Sequence, residues 1–194
     1  MMPDFAEIHA RLPKFAGRNM DLHAVRRKNE MRKLLEAHLA GSAIQITRME
    51  GDSPYGVSKY YLMLDVPHLV YTSFKPLTPD IVVFELMRSG RLSVDSVSQE
   101  RLLPVSIELP NTHPDRANPP KVRLLDHRVF HPSVFSSALC ATERWKPTTF
   151  LVDMLAEIAA LLRFEREANL KEPLNPLAAK WFEEGHRGFD LPLR

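Results

Sequence analysis

The residue with the clearest chemical potential is Cys140, the single cysteine of a 194-residue chain. A lone cysteine excludes an internal disulfide and any zinc site built from several thiolates. Most such cysteines are small buried hydrophobic residues. Cys140 differs because its neighbours are small or polar, with Ser136-Ser137-Ala138 before it and Thr142-Glu143-Arg144 after it. They favour an exposed groove, where a thiolate is both a good nucleophile and a good leaving group for an acyl group.

Short motifs follow one another on both sides of this cysteine. In chain order they are Leu109-Pro110, Pro119-Pro120, His131-Pro132, Cys140, Trp145-Lys146-Pro147 and Glu172-Pro173-Leu174-Asn175. Each is common by chance, but the whole set in this order is not. The set resembles the core of the ubiquitin-conjugating enzyme family, most closely the prokaryotic ubiquitin-conjugating-like proteins of ubiquitin-like modification operons. The resemblance covers most of residues 22–185 and is weakest at 67–101.

The resemblance implies an activity for Cys140. It takes a ubiquitin-like protein modifier as a thioester from an ATP-dependent activating enzyme and transfers it to an amine, usually a lysine, on a target protein. No small-molecule cofactor and no metal are implied, because the activating enzyme consumes the ATP. Prokaryotic relatives commonly accompany genes for these partners, and some such bacterial systems give antiviral defence against phage.

Two further residues are implied to act in lysine transfer, which needs a stabilised oxyanion and a deprotonated amine. Ser133 stands where the family has an asparagine credited with supporting the oxyanion or holding the loop. A serine hydroxyl donates a hydrogen bond but reaches less far than an asparagine amide, and it also suits a turn after Pro132. Glu172 stands where the family has an acidic residue credited with orienting the incoming lysine; without the resemblance it is an ordinary loop residue.

The remaining motif residues are implied to support the active site. His131 buttresses the loop by hydrogen bonding in the family and does not act as a base toward the cysteine. Pro132, Trp145 and Pro147 complete this support, and the Trp145 loop also touches partner enzymes. Phe135 matches an aromatic residue that some members place beside the acceptor lysine, although it equally suits the core.

Three other interpretations stay open. The first is a non-catalytic protein-binding module of the same fold, which Ser133 favours and Cys140 opposes. The second is a thiol hydrolase that pairs Cys140 with His127 or His131. The third is a metal site built from His113, His127, His131 and Cys140, although closely spaced ligand pairs are lacking.

The elements that position this region predict an α+β fold: an N-terminal helix, a four-stranded antiparallel meander, and C-terminal helices packed on one side. The first helix begins at a cap, Asn19 or Asp21, and ends at Leu39 before Gly41. Its apolar side comprises Leu22, Val25, Leu34, Leu35, His38 and Leu39. Its basic side comprises Arg26, Arg27, Lys28, Arg32 and Lys33. That side is a solvated face or, by the resemblance, the surface that docks an acidic domain of the activating enzyme.

Alternating apolar residues predict the strands. They lie around Ile44 and Ile46, from Tyr60 to Val66, from Leu103 to Leu109, and around Val122 and Leu124. Pro104 predicts that the third strand starts late or lies at an edge. Residues 81–87 suggest a further strand, with Ser89-Gly90 as a turn.

Helical spacing returns after Pro132. One helix has an apolar stripe and Thr148 or Thr149 as its cap; the stripe is Phe150, Leu151, Met154, Leu155, Ile158, Leu161 and Leu162. The last helix has Asn175 as cap and Pro176 at its first position, continues from Leu177 to Glu184, and is closed by Gly185.

The composition of the chain limits which domain organisation and which partners we expect. We expect an N-terminal extension at 1–20, a ubiquitin-conjugating-like domain at 21–185 and a tail at 186–194. The net charge of +2 gives no reason to expect nucleic acid or a membrane surface as a partner. Residues 1–20 lack the apolar centre of a secretory signal, which predicts a cytoplasmic protein.

Overall fold

The computed structural model describes residues 4–12, 22–51, 56–71, 97–139, 145–165 and 170–183. Several predictions from the sequence fall outside these ranges. They concern Cys140, the cap at Asn19 or Asp21, the strand at 81–87 and its Ser89-Gly90 turn, and the stop at Gly185.

The described residues form an α+β structure, as predicted. Its elements are α1 (Phe5–Arg11), α2 (Leu22–Leu39), β1 (Ile44–Gly51), β2 (Val57–Tyr71), β3 (Val97–Glu108), β4 (Lys121–Leu124), β5 (Val134–Phe135), β6 (Ala138–Leu139), α3 (Leu151–Leu162) and α4 (Pro176–Glu183). Strands β1 to β4 pair antiparallel in sequence order, and β5 with β6 forms a separate small hairpin. No helix within these ranges has the length and apolar character needed to cross a bilayer.

One face of the meander carries the core. Alternate strand residues such as Leu62, Leu64 and Val105 are buried there, and α2 and α3 cover them with Leu34 and Leu155 among others. Burial of each such side chain contributes roughly 1.5–3 kcal/mol. The predicted apolar side of the first helix is wrong at its two ends, where Leu22 and Leu39 are exposed.

Leu22 and Leu39 are 80% and 47% exposed because they occupy the first and last positions of α2. The middle turns make the contact instead, and they bury Met31 and, unexpectedly, the charged Glu30. The prediction that the helix ends before Gly41 is confirmed. Gly41 has a φ of 66°, a left-handed conformation that glycine adopts without strain.

The prediction that the third strand starts late or lies at an edge, drawn from Pro104, is wrong, because β3 begins at Val97 and lies between β2 and β4. Pro104 lies inside β3, opposite Met63 of β2, with β4 on the other side of β3. β4 pairs only with residues 105–108, so Pro104 stands just beyond that ladder. Its carbonyl still accepts from the Leu125 N–H at 2.8 Å, and the missing proline N–H therefore costs a single hydrogen bond.

Helix α1 lies within residues 1–20, for which the sequence predicted only an N-terminal extension. The Asp4 carboxylate caps it by accepting from the N–H groups of Ala6 and Glu7 at 3.0 and 3.1 Å. Phe5 packs edge-on against His38 of α2, with ring centroids 5.0 Å apart. Seven residues carry too few apolar positions for a helical period to be recognised.

The predicted cap of α3, Thr148 or Thr149, is also wrong. Phe150 occupies the cap position, and its N–H donates to the Asp153 carboxylate at 3.3 Å. The next N–H, of Leu151, donates at 2.8 Å to the carboxylate of Glu30, which belongs to α2. A side chain from another helix thus replaces the local threonine.

Candidate active site

The hairpin of β5 and β6 ends at Leu139, directly before Cys140. Val134 pairs with Leu139, and Phe135 pairs with Ala138. Ser136 in the turn has a φ of 54°, unusual for a residue with a side chain, and its hydroxyl lies 3.0 Å from His127 Nδ1. The Ser137 carbonyl accepts from the Leu124 N–H of β4 at 3.1 Å, so the main sheet holds the hairpin in place.

A tight turn precedes this hairpin at His131-Pro132-Ser133. The His131 carbonyl accepts from the Val134 N–H at 3.0 Å, and the His131 Nδ1 accepts from the Ser133 N–H at 3.0 Å. The ring is buried and stacks on Phe164, with centroids 4.5 Å apart. Burial lowers the pKa of His131 to about 3, opposed in part by the Leu161 backbone. His131 is therefore neutral near pH 7 and supports the turn.

Asn175 connects this turn to the last helix. Its backbone N–H donates to the Pro132 carbonyl at 3.0 Å. Its side-chain Oδ1 caps α4 by accepting from the Ala178 N–H at 3.0 Å, and its Nδ2 donates to the Tyr71 hydroxyl at 3.4 Å. Burial raises the pKa of Tyr71 to about 12, so this hydroxyl stays protonated. One buried residue thereby joins three segments that are far apart in sequence.

We expect Asn175→Ala to lower the free energy of unfolding by about 2 kcal/mol. About 1 kcal/mol comes from the lost helix cap, and the rest from the buried bond to Tyr71. Asn175→Ser keeps a capping oxygen but cannot reach Tyr71, and Tyr71→Phe removes only that bond. Urea denaturation should therefore rank both variants between the wild type and Asn175→Ala. Equal stability of Asn175→Ala and the wild type would contradict this role.

The other residues predicted from the motifs differ in their burial. Ser133 is buried, and Phe135 is half-buried. Glu172 is exposed and precedes Asn175 by three residues in the chain, and its role in lysine transfer stays a prediction.

In the chain after residues 140–144, Trp145 is buried and its ring lies 5.8 Å from that of His113, while Pro147 is half-buried. Both follow the cysteine segment directly and precede α3. The chain is thus fixed on both sides of residues 140–144, by the hairpin before them and by Trp145 after them.

Beneath Trp145 lies a buried charged network centred on Glu30, which is fully buried. Its Oε1 accepts from Arg26 Nε at 2.8 Å and lies 3.5 Å from His113 Nε2, while its Oε2 accepts from the Leu151 N–H. Arg26 also donates to the Thr149 carbonyl. The network fastens α2 to the start of α3.

The basic side of α2 is only partly available for docking. Arg26 lies 3.9 Å from the Phe150 ring centroid, and its side chain is 13% exposed. Lys33 Nζ lies 3.6 Å from the same ring centroid, and Arg27 donates to the Pro110 carbonyl at 2.7 Å. Lys28 and Arg32 are half-buried. Docking of an activating enzyme on these residues stays a prediction.

Among the described residues, the three histidines of the metal interpretation do not share one site, whereas the hydrolase interpretation depends on Cys140, which lies outside these residues. His113 contacts Glu30, His127 contacts Ser136, and His131 lies under the Pro132 turn. The one group of potential ligands within these ranges comprises His68, Glu100 and Asp126 instead.

Sequence reasoning missed several residues of this region. Glu30 follows Arg26 at the i, i+4 spacing of a helical ion pair, a signal that favours a surface pair as readily as a buried one. Tyr71 carried no signal, because its partner Asn175 is distant in sequence.

The fold and this arrangement define a class of protein. The chain has the mixed α/β ubiquitin-conjugating fold, with a four-stranded antiparallel sheet and flanking helices. The crystal structure of a Plasmodium yoelii protein named as a ubiquitin conjugating enzyme matches with a TM-score of 0.54 at 17% identity, over 87% of this chain and 88% of that one. The ubiquitin conjugating enzyme E2 domain of Toxoplasma gondii matches with a TM-score of 0.48 at 18% identity, over 79% and 87%.

A sequence relative points to the same family. The chain is 31% identical over 90 residues to ubiquitin-conjugating enzyme E2 1 of Caenorhabditis elegans. The match covers 44% of this chain and 44% of that protein, so it spans less than half of the relative's length. No protein-family model matches the chain. Fold and sequence together support a relationship to the ubiquitin-conjugating enzymes.

Proposed function

We propose that the protein is a conjugating enzyme for a ubiquitin-like modifier. It accepts the modifier from an ATP-dependent activating enzyme as a thioester on Cys140 and transfers it to a lysine amine of a target protein. It works in the cytoplasm, within a bacterial modification pathway of the antiviral kind that the sequence resemblance implies.

One observation carries this proposal: the hydrogen bond between the Asn175 N–H and the Pro132 carbonyl. It joins the two motifs that flank the cysteine in sequence, His131-Pro132 and the segment from Glu172 to Asn175. This bond fixes the turn at Pro132, and that turn leads into the hairpin that ends directly before Cys140. A buried structural cysteine would not require this arrangement of separate motifs.

Loading is an exchange between two thiols. The Cys140 thiolate attacks the thioester carbonyl of the modifier, a new carbon–sulfur bond forms, and the thiolate of the activating enzyme leaves. One thioester replaces another, so the step is nearly balanced in energy and the modifier can pass onward.

Transfer uses the same carbonyl. The lysine nitrogen attacks it, negative charge develops on the oxygen, and the Cys140 thiolate leaves as the amide bond forms. Glu172 takes the proton that the amine loses. The backbone N–H of Ser133 already donates to His131 Nδ1, so it is not the donor for the oxyanion. The Ser133 hydroxyl donates to the oxyanion instead.

The test is a loading assay with the protein, its activating enzyme, the modifier and ATP, followed by a gel without reductant. A reductant-sensitive adduct supports the proposal. Absence of an adduct with a verified partner set would contradict it and would favour the non-catalytic binding module. Cleavage of a preformed conjugate by this protein alone would favour the hydrolase.

We expect Ser133→Ala to slow discharge of the loaded modifier to free lysine while loading is unchanged. The decrease should be at least about tenfold, since loss of one oxyanion donor typically costs about 100-fold or more. Ser137→Ala, in the neighbouring hairpin turn, is the matched control and should discharge at the wild-type rate. Single-turnover discharge of the isolated thioester measures both. Equal discharge rates for Ser133→Ala and the wild type would contradict the oxyanion role and would show that Ser133 only forms part of the turn.

A further inference from the structure

A second group of chemically active side chains is made of residues that the proposed mechanism does not involve. A ring nitrogen of His68 and one oxygen from each of Glu100 and Asp126 all lie within 4.8 Å of one another. The three residues come from β2, from β3 and from the segment after β4. The mechanism proposed above uses none of them.

His68 is arranged as a metal ligand would be. It is fully buried, and its Nδ1 lies 2.8 Å from the Val66 carbonyl, which fixes the ring proton on Nδ1. Nε2 therefore carries a lone pair, and it has no hydrogen-bond partner. Burial lowers the pKa of His68, although the Val66 carbonyl and nearby carboxylates oppose this, so the neutral form is favoured. Metal-binding histidines commonly donate their other N–H to a backbone carbonyl in this way.

The two carboxylates can adjust to a metal ion, whereas the histidine is fixed. The side chains of Glu100 and Asp126 are 39% and 11% exposed. Burial opposes ionisation of Asp126, but hydrogen bonds from Arg128 outweigh it and lower the pKa of this carboxyl. Ligands that share one zinc ion stand about 3.3 Å apart, a separation that small rotations of the two carboxylates would reach.

Arg128 balances the charge of these carboxylates. Its Nη1 and Nη2 donate to the two Glu100 oxygens at 2.9 Å each, and its Nη2 also donates to Asp126 at 2.6 Å. Arg128 does not bond to the buried Nε2 of His68, so this nitrogen has a lone pair available to a ligand that lies between it and the two carboxylates. The Arg128 side chain is 33% exposed and has room to turn outward.

We propose that His68, Glu100 and Asp126 form a binding site for Zn²⁺ in which the metal competes with Arg128 for the two carboxylates. One imidazole with two carboxylates suits zinc better than calcium or magnesium, which prefer oxygen ligands alone. The divalent ion and two carboxylates sum to zero charge, and water completes the coordination.

The site would brace the segment that leads to the His131 turn. The Phe130 N–H donates to the Leu69 carbonyl at 2.7 Å, and the Tyr71 N–H donates to the Arg128 carbonyl at 2.8 Å. A zinc ion held by His68 and Asp126 would add a third link between β2 and this segment. Zinc binding and thioester loading remain separate measurements, so either can fail alone.

The test is titration of the full-length, metal-free protein with Zn²⁺ against a chromogenic chelator. We expect one equivalent to bind to the wild type, and binding at least about tenfold weaker in His68→Ala and in Glu100→Gln. Arg128→Gln should bind zinc more tightly, because the competing cation is gone. Millimolar Mg²⁺ or Ca²⁺ should not displace the bound zinc.

Two controls exclude other zinc ligands. His9→Ala removes a half-buried histidine outside the site, and Cys140→Ser removes the thiol; both should bind like the wild type. Binding that is absent, or that is unchanged in Glu100→Gln, would overturn the proposal. Glu100 is half-buried, so its variant stays informative if circular dichroism shows that His68→Ala does not fold.

Discussion

Cys140→Ala is expected to abolish adduct formation with the modifier completely. Other ordinary side chains form no thioester, and this chain has no second cysteine that could substitute. The readout is the band that forms with activating enzyme, modifier and ATP on a gel without reductant. An undiminished band from Cys140→Ala would show that the adduct lies elsewhere and would remove the basis of the proposed function.

Cys140→Ser distinguishes loss of chemistry from loss of structure. Serine keeps the size and the nucleophilic position but forms an ester, which resists thiol reductants and transfers poorly to amines. We expect an adduct that survives reductant and is released by mild base. A thermal unfolding midpoint equal to that of the wild type would establish that both variants report on the sulfur.

The sequence alone predicts those helices and strands whose apolar residues repeat in a regular local pattern. The apolar alternation of β2 and the stripe of α3 each repeat within one element, so no knowledge of partners is needed to recognise them. Asn175 was predicted as a cap for the same reason, because the cap bond reaches only to Ala178. Its bond to the Pro132 carbonyl joins distant segments, and only the fold reveals it.

The sequence-based predictions failed where a residue contacts a distant part of the chain. Thr148 and Thr149 are good local caps, yet the N-terminus of α3 receives its acceptor from Glu30 in another helix. A purely solvated face does not describe Arg26, because it binds Glu30 and the Thr149 carbonyl, while docking on the basic side of α2 stays a prediction. In each case a tertiary contact overrides a local preference. Such contacts concentrate around the segment after the cysteine, where several elements converge.

The largest expected effect on stability comes from Glu30→Met, which should lower the free energy of unfolding by about 3–5 kcal/mol. The change leaves the Arg26 guanidinium, only 13% exposed, without its carboxylate partner. It also leaves the buried Leu151 N–H without an acceptor, which costs about 1–3 kcal/mol of the total. Urea denaturation measures the change. Glu36→Met is the control on the same helix, and its exposed side chain should change stability by about 0.5 kcal/mol or less.

A double variant identifies the cause. If the unpaired charge dominates, Arg26→Met in the Glu30→Met background should raise stability, whereas Arg26→Met alone should lower it. The same cost in both backgrounds would show that packing, and not the ion pair, explains the loss. Because Glu30 holds Leu151 and Arg26 holds Thr149, both just after Trp145, the singly substituted protein should also load modifier more slowly near its unfolding midpoint. Recovery of stability and loading together in the double variant would identify the buried ion pair as the link between α2 and the segment that follows Cys140.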